Sequence, residues 1–114
     1  MPENRARASV TARLTGELDH FSAEGVRRQL DELTEDRSIR YLILDLSGMT
    51  FMDSSGIGVI IGRYKRMAAR GGGVRVFGAN RQVDRLMELS GLYRIVQKCD
   101  RAVKRYELRK RDAG

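Results

Sequence analysis

Residues 41–70 read YLILDLSGMTFMDSSGIGVIIGRYKRMAAR, and the change of period inside them decides the fold. Tyr41 to Leu46 is a nearly continuous apolar run of strand length, which suits a strand covered on both faces. Ser47-Gly48 is expected to end it, and Met49 to Met52 leads to Asp53-Ser54-Ser55-Gly56. From Ile57 the period turns helical. Ile57, Ile60, Ile61, Tyr64, Met67 and Ala68 recur at three- and four-residue spacing, the clearest stripe in the chain. Arg70 and Gly71-Gly72-Gly73 stop that helix.

Upstream, Ser9 to Leu14 alternates, with Val10, Ala12 and Leu14 on one side and Thr11 and Arg13 on the other. That is a strand with one wet face, interrupted at Thr15-Gly16 and extended by Glu17-Leu18. Ser22 is the expected cap of a helix whose stripe is Ala23, Val26, Leu30 and Leu33. Arg27, Arg28, Asp31 and Glu32 form its polar face, and Gly25 weakens it. Downstream, Val74 to Gly78 reads as a strand. Asn80 caps a helix with Val83, Leu86 and Met87 inward and Gly91 as its stop. Tyr93 to Val96 is expected as a last short strand, and Asp100 as the cap of a basic helix around Val103, Tyr106 and Leu108. Strand and helix alternate throughout, which argues an α/β domain. The expected architecture is a single domain at 9–108, with a mixed, partly parallel sheet of about four to five strands and about four helices. A flexible segment at 1–8 and a basic tail at 109–114 flank it.

The chain has 114 residues, enough for one core that buries about 65% of the unfolded surface without disulfides or metal. One cysteine, Cys99, excludes a disulfide framework and a multi-cysteine zinc site. One histidine, His20, argues against a histidine metal cluster or a catalytic triad. No apolar run approaches a membrane span, and MPENRARAS lacks the apolar core of a signal peptide, so a cytoplasmic protein without a membrane partner is expected. The net charge of +7 raises nucleic acid as a partner. However, residues 98–114 carry +4, residues 1–13 carry +2, and the body between them only +1. A nucleic-acid reader concentrates charge on a structured face, so no nucleic-acid partner is expected.

Enzyme motifs are missing. There is no G-x-x-x-x-G-K-[ST]. Gly71-Gly72-Gly73 follows a helix and precedes a strand, the wrong order for a phosphate-cradling turn. Gly56-Ile-Gly58 with Gly62 lacks the dinucleotide-binding spacing. Ser54 and Ser55 have no visible base, and Asp53 stands without a second carboxylate. No catalytic residue, cofactor or metal is expected, and the chain is read as a non-enzyme.

The turn Asp53–Gly56 stands apart. It sets small hydroxyls at the start of a helix, where Asp and Ser ordinarily satisfy free N–H groups. The helix then carries Gly56, Gly58 and Gly62, each less favourable than alanine by about 1 kcal/mol. Opposite the apolar stripe lie Gly58, Val59, Gly62, Arg66 and Ala69. Such a face lets another backbone approach closely: either a partner protein or a neighbouring element of the same chain.

LILDLSGMTFMDSSGIGVIIGRYK, together with RLTGELDHFSAE at 13–24 and LMELSGL at 86–92 and its flanks, resembles the STAS domain family, and within it the anti-sigma factor antagonists of sporulation. The resemblance covers about residues 9–97. It implies a phosphorylation switch. The unphosphorylated antagonist binds an anti-sigma factor that is also a serine kinase carrying ATP, and a sporulation sigma factor is released. Phosphorylation then ends the binding, and a PP2C-type serine phosphatase restores it. By motif match the target is Ser54, with Ser55 as the alternative. The implied partner-binding residues are Asp19, Asp53, Ser55, Gly56, Gly58, Val59, Gly62 and Arg66. A general stress-response antagonist is the alternative within the family. A nucleotide- or nucleic-acid-binding module driven by the basic ends is the alternative outside it.

Overall fold

The computed structural model describes residues 9–99. Four strands, β1 (Ser9–Leu18), β2 (Tyr41–Met52), β3 (Gly73–Phe77) and β4 (Gln97–Lys98), alternate with α1 (Ala23–Leu33), α2 (Ser54–Ala68) and α3 (Arg81–Leu89). The strands lie in the order β1-β2-β3-β4, and every pairing among the described residues is parallel. The α/β architecture is the one expected, although the antiparallel part of a mixed sheet does not arise among the described residues. The basic helix after Asp100, the segment 1–8 and the tail 109–114 fall outside the described residues.

A strand order that follows the sequence, joined by right-handed crossovers, puts all three helices on one face. The core agrees. Ala12, Leu42, Leu44, Leu46, Val74 and Val76 share one cluster with Leu30, Ile57, Ile60, Met67, Val83 and Met87. On the other face of the sheet Ile43, Asp45 and Phe77 are buried as well, so β2 is covered on both sides as its apolar run requires.

Three local readings are corrected. Ser47-Gly48 does not end β2, which continues to Met52 because β1 runs alongside it, Thr15 facing Gly48 and Leu18 facing Met52. Gly16, at φ 77°, and the register shifts beside it let β1 follow that path. Residues 93–96 do not form the last strand. Gly91, at φ 83°, starts a 3-10 turn at Leu92–Arg94 that buries Leu92, and β4 forms only at Gln97. Leu33 is 40% exposed, and Thr34 takes its place under α1, its hydroxyl donating to the Leu30 carbonyl at 2.9 Å.

β3 ends at Phe77, opposite Asp45, so β1 and β2 project beyond the rest of the sheet as a two-stranded ribbon. The free edge of β2 is closed by side chains from the start of α3. Asn80 Nδ2 donates to the Met49 and Thr50 carbonyls at 3.2 and 3.3 Å. Gln82 Oε1 accepts from the Met52 amide at 3.1 Å while its Nε2 donates to the Met52 carbonyl at 2.8 Å. The Gln82 amide thus stands where a neighbouring strand would have been, and it fixes the point at which the chain enters α2.

Candidate functional site

Two loops meet at the tip of this ribbon. Leu18 pairs with Met52, and the Asp53 amide donates to the Leu18 carbonyl at 3.2 Å, which ties the β1–α1 loop to the mouth of α2. In the first loop Asp19 Oδ1 accepts from the Phe21 and Ser22 amides at 3.0 and 3.1 Å. The Ser22 hydroxyl donates to the Glu17 carbonyl at 2.8 Å and accepts from the Asp19 amide at 3.0 Å. Ser22 therefore closes the loop rather than bonding a free amide of α1, as a cap would. The Ser22 amide, more than any other group, holds the Asp19 carboxyl below the usual carboxylate range.

In the second loop Asp53 is extended, and its Oδ1 accepts from the Ser55 amide at 2.8 Å. This is the N-cap that the sequence implied. Ser54, the first residue of α2, is exposed, and Ser55 is half-buried. Asp19, Asp53, Ser54 and Ser55 thus lie at one end of the sheet, brought together by the parallel register of β1 and β2.

The glycines of α2 divide into two kinds. Gly56 is buried, and a Cβ there would come within 2.5 Å of Met52 Cγ and 2.9 Å of Leu18 Cγ. It serves the packing of this chain, not a partner. A Cβ on Gly58 or Gly62 would meet nothing within 4 Å. Val59, expected on the docking face, is 7% exposed and belongs to the core. It sits one turn before Arg63, on the side of α2 that packs against α1. Arg66 also turns that way, its Nε 3.9 Å from Asp31 on α1. The open strip that remains is Ser54, Gly58 and Gly62.

Phe21, on the loop that the Leu18–Asp53 bond ties to the mouth of α2, is 92% exposed and stacks edge-on with His20 at 5.6 Å. An aromatic ring in water is a feature of protein-binding surfaces. Sequence reading missed both Phe21 and the bracing Gln82. A lone aromatic and a first-turn glutamine carry no pattern.

No group of three or more His, Cys, Asp or Glu side chains among the described residues is placed to hold a metal ion. None of the described helices is long and apolar enough to cross a membrane. The chemistry on offer is a serine hydroxyl on a small, open surface of an α/β domain. Residues 2–105 match the STAS domain family. An anti-sigma F factor antagonist of Paenibacillus polymyxa is 43% identical over 85% of this chain and 83% of its own. An anti-sigma-B factor antagonist of Listeria monocytogenes is 32% identical over 74% of this chain and 73% of its own. Among solved structures, the anti-sigma factor antagonist SpoIIAA in its unphosphorylated form superposes with a TM-score of 0.73 at 27% identity, covering 91% of this chain and 90% of the other. The Bacillus cell fate determinant SpoIIAA in the phosphorylated form gives 0.65 at 27% identity, covering 88% and 92%. The chain belongs to the STAS family, in its group of anti-sigma factor antagonists.

Proposed function

We propose that this protein binds an anti-sigma factor through the surface around Ser54, and that phosphorylation of Ser54 ends the binding. The observation that carries this reading is the exposed hydroxyl at the first position of α2, flanked by an uncovered glycine strip and by Asp19 and Asp53. The partner is an anti-sigma factor that is itself a serine kinase carrying ATP, and a PP2C-type phosphatase reverses the step. The controlled factor is a sporulation sigma factor; the 43% identity to an anti-sigma F factor antagonist, against 32% to an anti-sigma-B one, favours this over a general stress response. The protein acts in the cytoplasm as a regulator rather than an enzyme.

The physics of the switch is local. A phosphoserine adds about two negative charges at neutral pH. At a helix N-terminus the dipole and the free amides tolerate that charge, so α2 need not melt. A partner surface fitted to a neutral hydroxyl would have to desolvate a dianion next to Asp53, which costs several kcal/mol without a compensating cation. Each 1.4 kcal/mol is about tenfold in affinity. One modification can therefore release the partner with no change of fold.

To test this, the protein is incubated with a sporulation anti-sigma factor and ATP and then read by mass spectrometry of its peptides. One phosphate on Ser54, absent from Ser54→Ala, is expected. A phosphate on Ser55 alone, or none in the presence of a bound partner, contradicts the assignment.

A further inference from the structure

Past the Asp45–Phe77 pair the sheet narrows to β1 and β2, and Ser54 lies two residues beyond the last residue of β2. We infer that Gln82, on α3, is a positioning residue that sets the Ser54 hydroxyl for phosphoryl transfer; this rests on the reading of Ser54 as the phosphate acceptor. Its bonds are to Met52, so it acts through the backbone. The two sides of the strand end are held by different elements. On one side β1 takes the Asp53 amide, which donates to the Leu18 carbonyl at 3.2 Å. On the other side β3 has stopped, at Phe77. In an extended strand the amide and carbonyl of one residue point to one edge, and those of the next residue to the other. Met52 therefore turns both groups to the edge that β3 has left. Gln82 meets both: Oε1 accepts from the Met52 amide at 3.1 Å, and Nε2 donates to the Met52 carbonyl at 2.8 Å. A side-chain amide carries the donor and acceptor of a peptide group, so this one residue supplies one rung of a ladder. A two-stranded ribbon is marginal alone, which gives the rung its importance.

The rung has a rigid anchor. Val83 and Met87 of α3 are fully buried. Asn80 caps the helix, accepting from the Val83 amide at 2.9 Å, while it donates to the Met49 and Thr50 carbonyls. Beyond Met52 little slack remains. Asp53 Oδ1 accepts from the Ser55 amide, and Gly56 lies so close to Met52 and Leu18 that a Cβ there would clash. The place of Met52 is thus passed on to Ser54. The rest of α2 is held independently, by Ile57, Ile60 and Met67 in the core. Losing the rung loosens the first turn of α2 and leaves the remaining docking surface in place. In the transfer, the Ser54 oxygen bonds to the γ-phosphorus of the kinase's ATP, the bond from that phosphorus to the bridging oxygen breaks, ADP leaves, and the hydroxyl proton passes to a base of the kinase. The attacking oxygen must lie in line with the breaking bond, so a small displacement lowers the rate more than it lowers binding.

The test measures initial rates of Ser54 phosphorylation by the anti-sigma kinase with ATP, over a range of concentrations of the full chain, for the wild type, Gln82→Met and Tyr93→Phe. Gln82→Met keeps the length of the side chain and loses both bonds. Tyr93→Phe removes the bond from the Tyr93 hydroxyl to Asp84 on the same helix, and serves as the control for a general loss of stability. Gln82→Met is expected to lower kcat about tenfold with KM changed by less than about twofold. It is also expected to speed amide exchange at Ser55 and Gly56, and Tyr93→Phe to leave both readouts unchanged. An unchanged kcat, an equal fall in Tyr93→Phe, or unaltered exchange at Ser55 and Gly56 in Gln82→Met would overturn the inference. A wild type that takes no phosphate on Ser54 would instead sink the phosphorylation reading, and the exchange rates then still decide whether Gln82 places this turn.

Discussion

At its N-terminal end α2 presents Asp53, an exposed Ser54 and an uncovered Gly58, while at its C-terminal end Arg63, Arg66 and the following Arg70 turn onto neighbouring segments of the same chain. Both ends agree with the helix dipole, acids first and bases last. They differ in what satisfies them. The basic end is engaged inside the molecule by Asp31 and by the carbonyls of Asp36 and Ile39. The acidic end is braced from below, by Leu18, Gly56 and Gln82, and left open above. A rigid base under an open hydroxyl is what a switch by charge alone requires, because the modification alters the surface without reshaping its support.

The largest effect expected at the open end comes from Ser54→Asp, which brings a charge to the partner without the kinase. It should weaken binding to the anti-sigma factor by about a hundredfold, as measured by calorimetry, with an unchanged melting temperature. The glycines separate support from surface. Gly56→Ala drives a methyl group into Met52 and Leu18 and should lower the urea-derived stability by about 2 kcal/mol. Gly62→Ala, in open space, should raise it by up to about 1 kcal/mol. Equal effects at the two positions would erase the division between them. Phe21→Ala should cost about tenfold in partner affinity and nothing in stability, since the ring is already in water. Gln82→Ala removes two hydrogen bonds to Met52 and should lower stability by about 1 kcal/mol, with faster amide exchange at Met52.

The smallest effect is in pH. Asp19 is held below its unfolded value of 3.8 first by the Ser22 amide, and Asp84 first by Lys98 and then by the Tyr93 hydroxyl. Carboxyls lowered in the folded state contribute stability above that value and lose it as pH falls further. Melting temperatures should therefore drop below about pH 4, and Asp84→Asn should flatten part of that drop. A drop centred near neutral pH would point to other groups.

What could be read from the sequence was local. The stripe from Ile57 to Met67 and the Asp53 cap are contacts within a few residues, so periodicity and capping chemistry reveal them. The length of β2 was hidden because Ser47-Gly48 is a turn signal, overridden by pairing with β1. Val59 lies opposite the apolar stripe on a helical wheel, yet α1 closes that side, so the docking strip is narrower than the wheel suggests. Phe21 was invisible as a surface feature because an apolar residue in a loop reads as a core residue until its neighbours are known.

The most direct measurement is a titration of the anti-sigma factor into this protein before and after stoichiometric phosphorylation of Ser54, with the melting temperature followed in parallel. Loss of binding with the fold intact is the predicted result. Undiminished affinity of the phosphorylated, folded protein would contradict the central claim.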